Sequence, residues 1–226
     1  MTPTTYPCPL PGGAEASELA LAFDRGRERR LLIAPALFDE ANRMRRLTVE
    51  VMRRLDKSGI DSILPDLPGC NESTQDLALV EPEDWRMALE AAARHFGATH
   101  LLALRGGALV VPAKLPGWLY APVKGASQLK TMLRARVIAA REAGREESTE
   151  TLLAQGLQMG IDLAGWSLSG EMLRQLQAAE PASRDNLALI EQETLGGGAL
   201  WLRAEPDENS DQADALAAVI AVGIAA

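Results

Sequence analysis

Residues 162–173 read DLAGWSLSGEML, a run that sets Ser167 between Gly165 and Gly170. A serine at a tight, small-residue turn between a strand and a helix is how a hydroxyl is presented for attack on an acyl carbon. A second run, LALRGGAL at 102–109, has the same small flanks but places Arg105 where the nucleophile would stand. A guanidinium stays protonated and carries only donors, so Arg105 can be neither nucleophile nor general base. It could hold a carboxylate or phosphate beside the free amides of Gly106 and Gly107. It could equally be tied in a structural ion pair to Asp39, Glu40 or Asp66 from neighbouring loops.

The other reactive side chains are sparse. His95 and His100 are the only two histidines, five positions apart, which is not the spacing of two ligands on one helix face, and no metal site or cofactor motif is expected. Cys8 and Cys70 form no disulfide framework, and Cys70 is expected to be a free loop thiol. Asp66 opens the loop DLPGC, either as a ligand contact or as a turn aspartate bonded to nearby backbone. The segment Glu205-Pro206-Asp207-Glu208-Asn209 is expected to be a solvated acidic turn. Trp118, Tyr120, Trp166 and Trp201 are expected to pack rather than to stack on a sugar.

These residues must be positioned by strands and helices that alternate along the chain. The short apolar run at 31–35 has the character of a buried parallel strand, and further strands are expected at 60–65 and 99–104. Between them, residues 42–58 place Met44, Leu47, Val51, Met52 and Leu55 at helical spacing, and 81–97 form a second helix with Pro82 near its start and Gly97 after its end. Such alternation predicts a parallel sheet with ligands at the carboxyl ends of its strands. The loops after Ala34, Leu64 and Leu104 then gather Phe38, Asp66, Arg105 and Gly106 as candidate ligand contacts. A fourth strand is expected at 117–122, a mostly helical stretch over 127–180, two last strands at 186–190 and 198–202, and a closing helix at 211–222.

Composition narrows the class. Hydrophobic residues make up 47% of the 226 and charged residues 24%, as in an ordinary globular domain. The formal charge of -8 leaves no basic excess to neutralise phosphates, which argues against nucleic acid. The first residues lack the basic start and apolar run of a signal peptide, and no run approaches a membrane span, so a cytoplasmic protein is expected. The division expected is a flexible segment at 1–28 and a single domain at 29–226. A helical lid at about 125–182 lies within that domain, and the ligand would be a small molecule, an acyl group or a protein partner, with a homodimer open.

The runs LLIAPALFDEANRMRR, ILPDLPGCNES, LLALRGGALVVP, YAPVKGASQLKTMLRARV and LAGWSLSGEMLRQL together resemble the α/β-hydrolase-like proteins associated with the exosortase A system, found beside bacterial exopolysaccharide clusters. The resemblance covers roughly residues 31–180, and it rests on the order and spacing of the runs. It implies an α/β fold, a mostly parallel sheet flanked by helices, with a helical lid and, here, a shortened C-terminal end. It also places the elbow at L-R-x-G-A, on Arg105. In that fold the serine precedes the acid and the acid precedes the histidine, whereas His95 and His100 both precede Ser167. The triad is therefore expected to be degenerate and the protein to bind rather than to hydrolyse. Ser167 as the nucleophile of an esterase or thioesterase is the alternative. Ser169 is the expected cap of the helix that follows.

Overall fold

The computed structural model describes residues 1–10, 13–207 and 209–225. Its centre is made of the short apolar runs. β3 (Arg30–Ala34), β4 (Asp61–Pro65), β5 (His100–Leu104) and β6 (Gly117–Tyr120) are hydrogen-bonded in parallel, with β4 and β6 buried at every residue. A fifth parallel strand, β9 (Leu187–Ile190), lies beside β6. Because side chains alternate across a strand, Leu31 and Ile33 face one core while Leu32 and Ala34 face the other. This double burial explains the apolar run of β3, while β4 also buries Ser62 and Asp61, the latter accepting from the Arg25 and Arg27 amides.

The core faced by Leu32 and Ala34 lies under α2 (Pro82–Phe96), and that faced by Leu31 and Ile33 under α1 (Asp39–Lys57) and α7 (Ser210–Ala225). α1 starts three residues earlier than the apolar periodicity begins, because Asp39 and Glu40 suit the positive end of the helix dipole. α2 opens with a capping box between Glu81 and Asp84 and ends at Gly97 in the left-handed conformation.

Residues 1–28, expected to be a flexible segment, instead contribute two strands. β1 (Thr2–Pro9) and β2 (Glu15–Phe23) form an antiparallel hairpin, and β2 joins the sheet antiparallel to β4. The sheet order is β1-β2-β4-β3-β5-β6-β9. β1 tolerates Pro3, Pro7 and Pro9 because it is an edge strand: these alternate with Tyr6 and Cys8, whose side chains are buried.

Between β6 and β9 the chain inserts α3 (Gly125–Glu142), α4 (Thr149–Met159), the hairpin β7 (Ile161–Leu163) and β8 (Trp166–Leu168), and α5 (Gly170–Ala178). Residues 198–202, expected to be a last strand, are not one. A short helix α6 (Gln192–Leu195) and a 3-10 turn at Leu200–Leu202 take their place, with glycines at 196–198 interrupting any extended run. The parallel part of the sheet thus ends at β9. Among the described residues no helix is long and apolar enough to cross a membrane.

Candidate functional site

Arg105 is the first residue after β5, and its φ is 51°. A left-handed conformation at a residue with a side chain costs about 1–2 kcal/mol, and it is the strained turn that lifts a nucleophile out of the sheet in a hydrolase elbow. The geometry of an elbow is present with an arginine at its tip. Residues 105–109 continue as a 3-10 turn instead of the α-helix that normally follows, so no long helix N-terminus faces this position.

The guanidinium is occupied on three sides. Nε and Nη2 each donate to one oxygen of Glu40 at 3.0 Å, a two-point pair, and Nη1 donates to the Ala121 carbonyl at 2.6 Å. The plane of the group lies 4.0 Å from the ring centroid of Trp201. Only 11% of the Arg105 side chain and 16% of that of Glu40 remain exposed, so the pair is weakly screened. Of the two readings open for Arg105, this geometry is the ion pair, with Glu40 as partner from the first turn of α1. Trp201 comes from the 3-10 turn after the last strand and Ala121 from the end of β6, so three carboxyl-edge segments converge on one cation.

Gly106 stands under a different side chain. Gln128, in the first turn of α3, donates through Nε2 to the Leu37 carbonyl at 2.9 Å, and a Cβ built on Gly106 would overlap its Oε1. That oxygen is buried and has no hydrogen-bond partner. Gly107 is held as tightly from below, where a Cβ would overlap the Pro35 carbonyl and lie 2.7 Å from that of Ala34. The space directly over the elbow is therefore filled by a neutral amide. The one sequence signal of this is a glutamine on the buried stripe with Leu129 and Met132.

Phe38 precedes α1 with φ 55° and packs its ring edge-on against Trp85 and Trp166, at 5.6 and 5.7 Å between centroids. It is a buried hinge between α1, α2 and the inserted hairpin. Trp166 also donates from Nε1 to Asp39 at 3.0 Å, fixing the hairpin to the start of α1. Phe38 and Gly106 are brought to the same place, since Gln128 bridges the loops that carry them.

Asp66 lies one loop away and is 5% exposed. Its Oδ1 accepts from Asn71 at 2.8 Å, its Oδ2 is buried without a partner, and its main chain bonds to Leu19 and to the Tyr6 hydroxyl. Burial pushes the carboxyl above its ordinary value, with the Asn71 hydrogen bond and the charge of Arg45 partly opposing the shift. Beside it is an enclosed cavity of about 20 Å³ lined by Arg45, Thr48 and Asn71, room for one water. Asp66 thus shares no partner with Arg105.

Ser167 is far from all of this in orientation. Ala164 and Gly165 both have positive φ, the pattern of a two-residue hairpin turn, and Ser167 and Trp166 point to opposite faces of β8. Trp166 goes inward to Phe38, while Ser167 is exposed and donates to Asp162 across the hairpin. It lines an open groove with Met159, Gly160 and Gly170. Ser169 caps α5 by accepting from the Met172 amide at 3.0 Å. Neither histidine approaches the elbow: His100 starts β5, roughly 16 Å of extended chain before Arg105, and stacks on Trp118; His95 packs on Phe96 at the end of α2. Both cysteines are free thiols, and burial pushes that of Cys70 up to about 12, well above the range of a reactive thiolate. In the acidic segment at 205–209, Arg203 reaches Asp207 at 2.9 Å, and Glu208 is outside the described residues.

No family model and no curated protein matches the chain. Solved structures do. The chain is similar over 99% of its length to the esterase domain of a Rhodothermus marinus protein, at a TM-score of 0.57 and 14% identity, covering 98% of that domain. It is similar over its whole length to the DcsB protein in complex with a substrate analogue (TM-score 0.55, 12% identity, all of that chain covered). A third similarity is to alpha/beta hydrolase domain-containing protein 10 from mouse (TM-score 0.53, 12% identity, 100% of this chain and 99% of that one). At these identities the likeness is one of fold, and the fold is that of the α/β-hydrolases.

Proposed function

We propose that this α/β-hydrolase-fold protein has no hydrolytic activity and works by binding, its elbow having become a structural joint. The observation that carries the reading is Arg105, a left-handed residue at the elbow whose guanidinium is consumed by Glu40, Ala121 and Trp201. Acyl transfer needs a nucleophile, a base to activate it and donors to receive the oxyanion. The first position is a permanent cation, no histidine reaches it, and Gln128 packs against Gly106, the residue that follows.

In this reading a small anionic or acyl ligand, or a partner protein, is held and released unchanged. The resemblance of its sequence runs to exosortase-associated proteins supplies the setting we propose, bacterial exopolysaccharide production in the cytoplasm; the fold by itself supplies none. Deleting the chain from its host should alter surface polysaccharide, and unaltered polysaccharide would count against that setting.

Turnover is tested directly with the purified protein and a panel of short acyl esters and thioesters. The expected result is no rate above buffer and no covalent labelling by a serine-directed phosphonate. Ester turnover abolished by Ser167→Ala, or label mapped to Ser167, would overturn the binding reading in favour of an esterase built on the Ser167–Asp162 contact.

A further inference from the structure

A groove at the opposite end of the sheet from Arg105 has the composition of a ligand site. It lies between the end of α2, with the turn at Gly97 and Ala98 that follows it, and the loop that leads into β6, and it holds about 500 Å³. That volume falls within the range of small-molecule pockets. Its apolar wall is Ala93, Ala98, Pro112 and Leu115, all at least half-buried, and its rim carries the exposed cations Arg94 and Lys114. The third charge lining it, Glu90, is already met by Arg86 at 2.7 Å.

Two features of this groove bear on what it can hold. In a chain with a net charge of -8, neither Arg94 nor Lys114 has an ion pair or side-chain hydrogen bond among the described residues. The loop forming one wall is also held in place, since Arg184 donates to the carbonyls of Pro112, at 2.9 Å, and Ala113. A site whose walls are fixed beforehand loses little ordering entropy when it is filled.

We propose that this groove binds a single-chain amphipathic carboxylate, its alkyl part against Ala93, Ala98, Pro112 and Leu115 and its head between Arg94 and Lys114. With Glu90 already paired to Arg86, the rim cations Arg94 and Lys114 leave the groove's mouth positive, which suits an anionic head. The apolar wall selects for a chain over a bare anion, because a carboxylate alone would gain only exposed, salt-screened pairs. The proposal does not depend on whether the elbow is silent, since the groove and Arg105 lie at opposite ends of the strands.

The test is calorimetric titration of the intact protein with decanoate below its micelle-forming concentration, with decanol and acetate as separate arms. Decanoate should bind saturably at one site and weaken as salt is raised; acetate should not bind measurably, and decanol should bind at least about tenfold less tightly. Arg94→Gln with Lys114→Gln, both surface changes, should lower decanoate affinity about tenfold. Leu115→Glu should lower it further by placing a carboxylate in the wall. Absence of decanoate binding, equal affinity for decanol, or indifference to the double variant would each overturn the proposal.

Discussion

Trp201 lies across the guanidinium of Arg105 at 4.0 Å, so the segment that follows the last strand ends on the elbow. In a working hydrolase the last catalytic loop brings a histidine to that place. Here it brings an aromatic face, and the contact between Arg105 and the C-terminal segment is one of packing. The convergence of Glu40, Ala121 and Trp201 on one side chain makes Arg105 a tie between α1, β6 and the C-terminal region.

Removing the tie should therefore cost stability. Arg105→Ala leaves Glu40 nearly buried without its partner, and we expect a loss of about 3 kcal/mol, measured by denaturant unfolding. Glu40→Gln should cost less, because Trp201 and the Ala121 carbonyl remain. A double-mutant cycle giving a coupling below about 0.5 kcal/mol would show that the pair is not a unit.

Crowding at the elbow gives a second prediction. Gly106→Ala pushes a methyl into Gln128 Oε1, and Gly107→Ala pushes one into the Pro35 carbonyl. Both should destabilise, by about 1–3 kcal/mol. Gln128→Ala should largely rescue Gly106→Ala, because the obstacle is a side chain, and should not rescue Gly107→Ala, because the obstacle there is backbone. Equal rescue of both would refute the placement of Gln128.

Ala164 occupies a left-handed position better suited to asparagine. Ala164→Asn should raise stability by about 0.5–1 kcal/mol. Ser167→Ala on the same hairpin should change thermal stability little, since it removes one exposed contact with Asp162.

The buried carboxyl of Asp66 sets a pH dependence. Its folded value is raised above the unfolded one, so its favourable contribution is complete below the ordinary carboxylate range and is lost as pH rises through the folded value. Above that value the ionised, half-satisfied group lowers stability. Asp66→Asn, which removes the charge, should therefore gain more in thermal midpoint at pH 7 than at pH 4. A variant whose gain is the same at both would place the titration elsewhere.

The elements most legible in the sequence were those whose pattern is set by burial on both faces. The runs at Leu31–Ala34 and Leu101–Leu104 are apolar because two cores meet on them, and their parallel pairing puts the loops after Ala34 and Leu104 on one edge of the sheet, as the alternation of elements implied. The N-terminal hairpin was hidden because three prolines in eight residues look like a tail unless the strand is known to be an edge. The partner of Arg105 could be narrowed to three acids but not chosen, since the choice depends on where α1 begins relative to the end of β5. Gln128 and Trp201 were not legible as neighbours of the elbow. Each reaches it from a segment whose path is set by tertiary packing, and no local spacing encodes that approach.

The strand order also dictates when the molecule can be completed during synthesis. β2 waits for β4 before it has a neighbour other than β1, and β9 can dock on β6 only after the whole insertion between them has left the ribosome. Until then β6 presents an unpaired apolar border, and non-local parallel pairing is slow to form. The nascent chain thus passes through a stage in which its sheet is open on the side that β9 will cover.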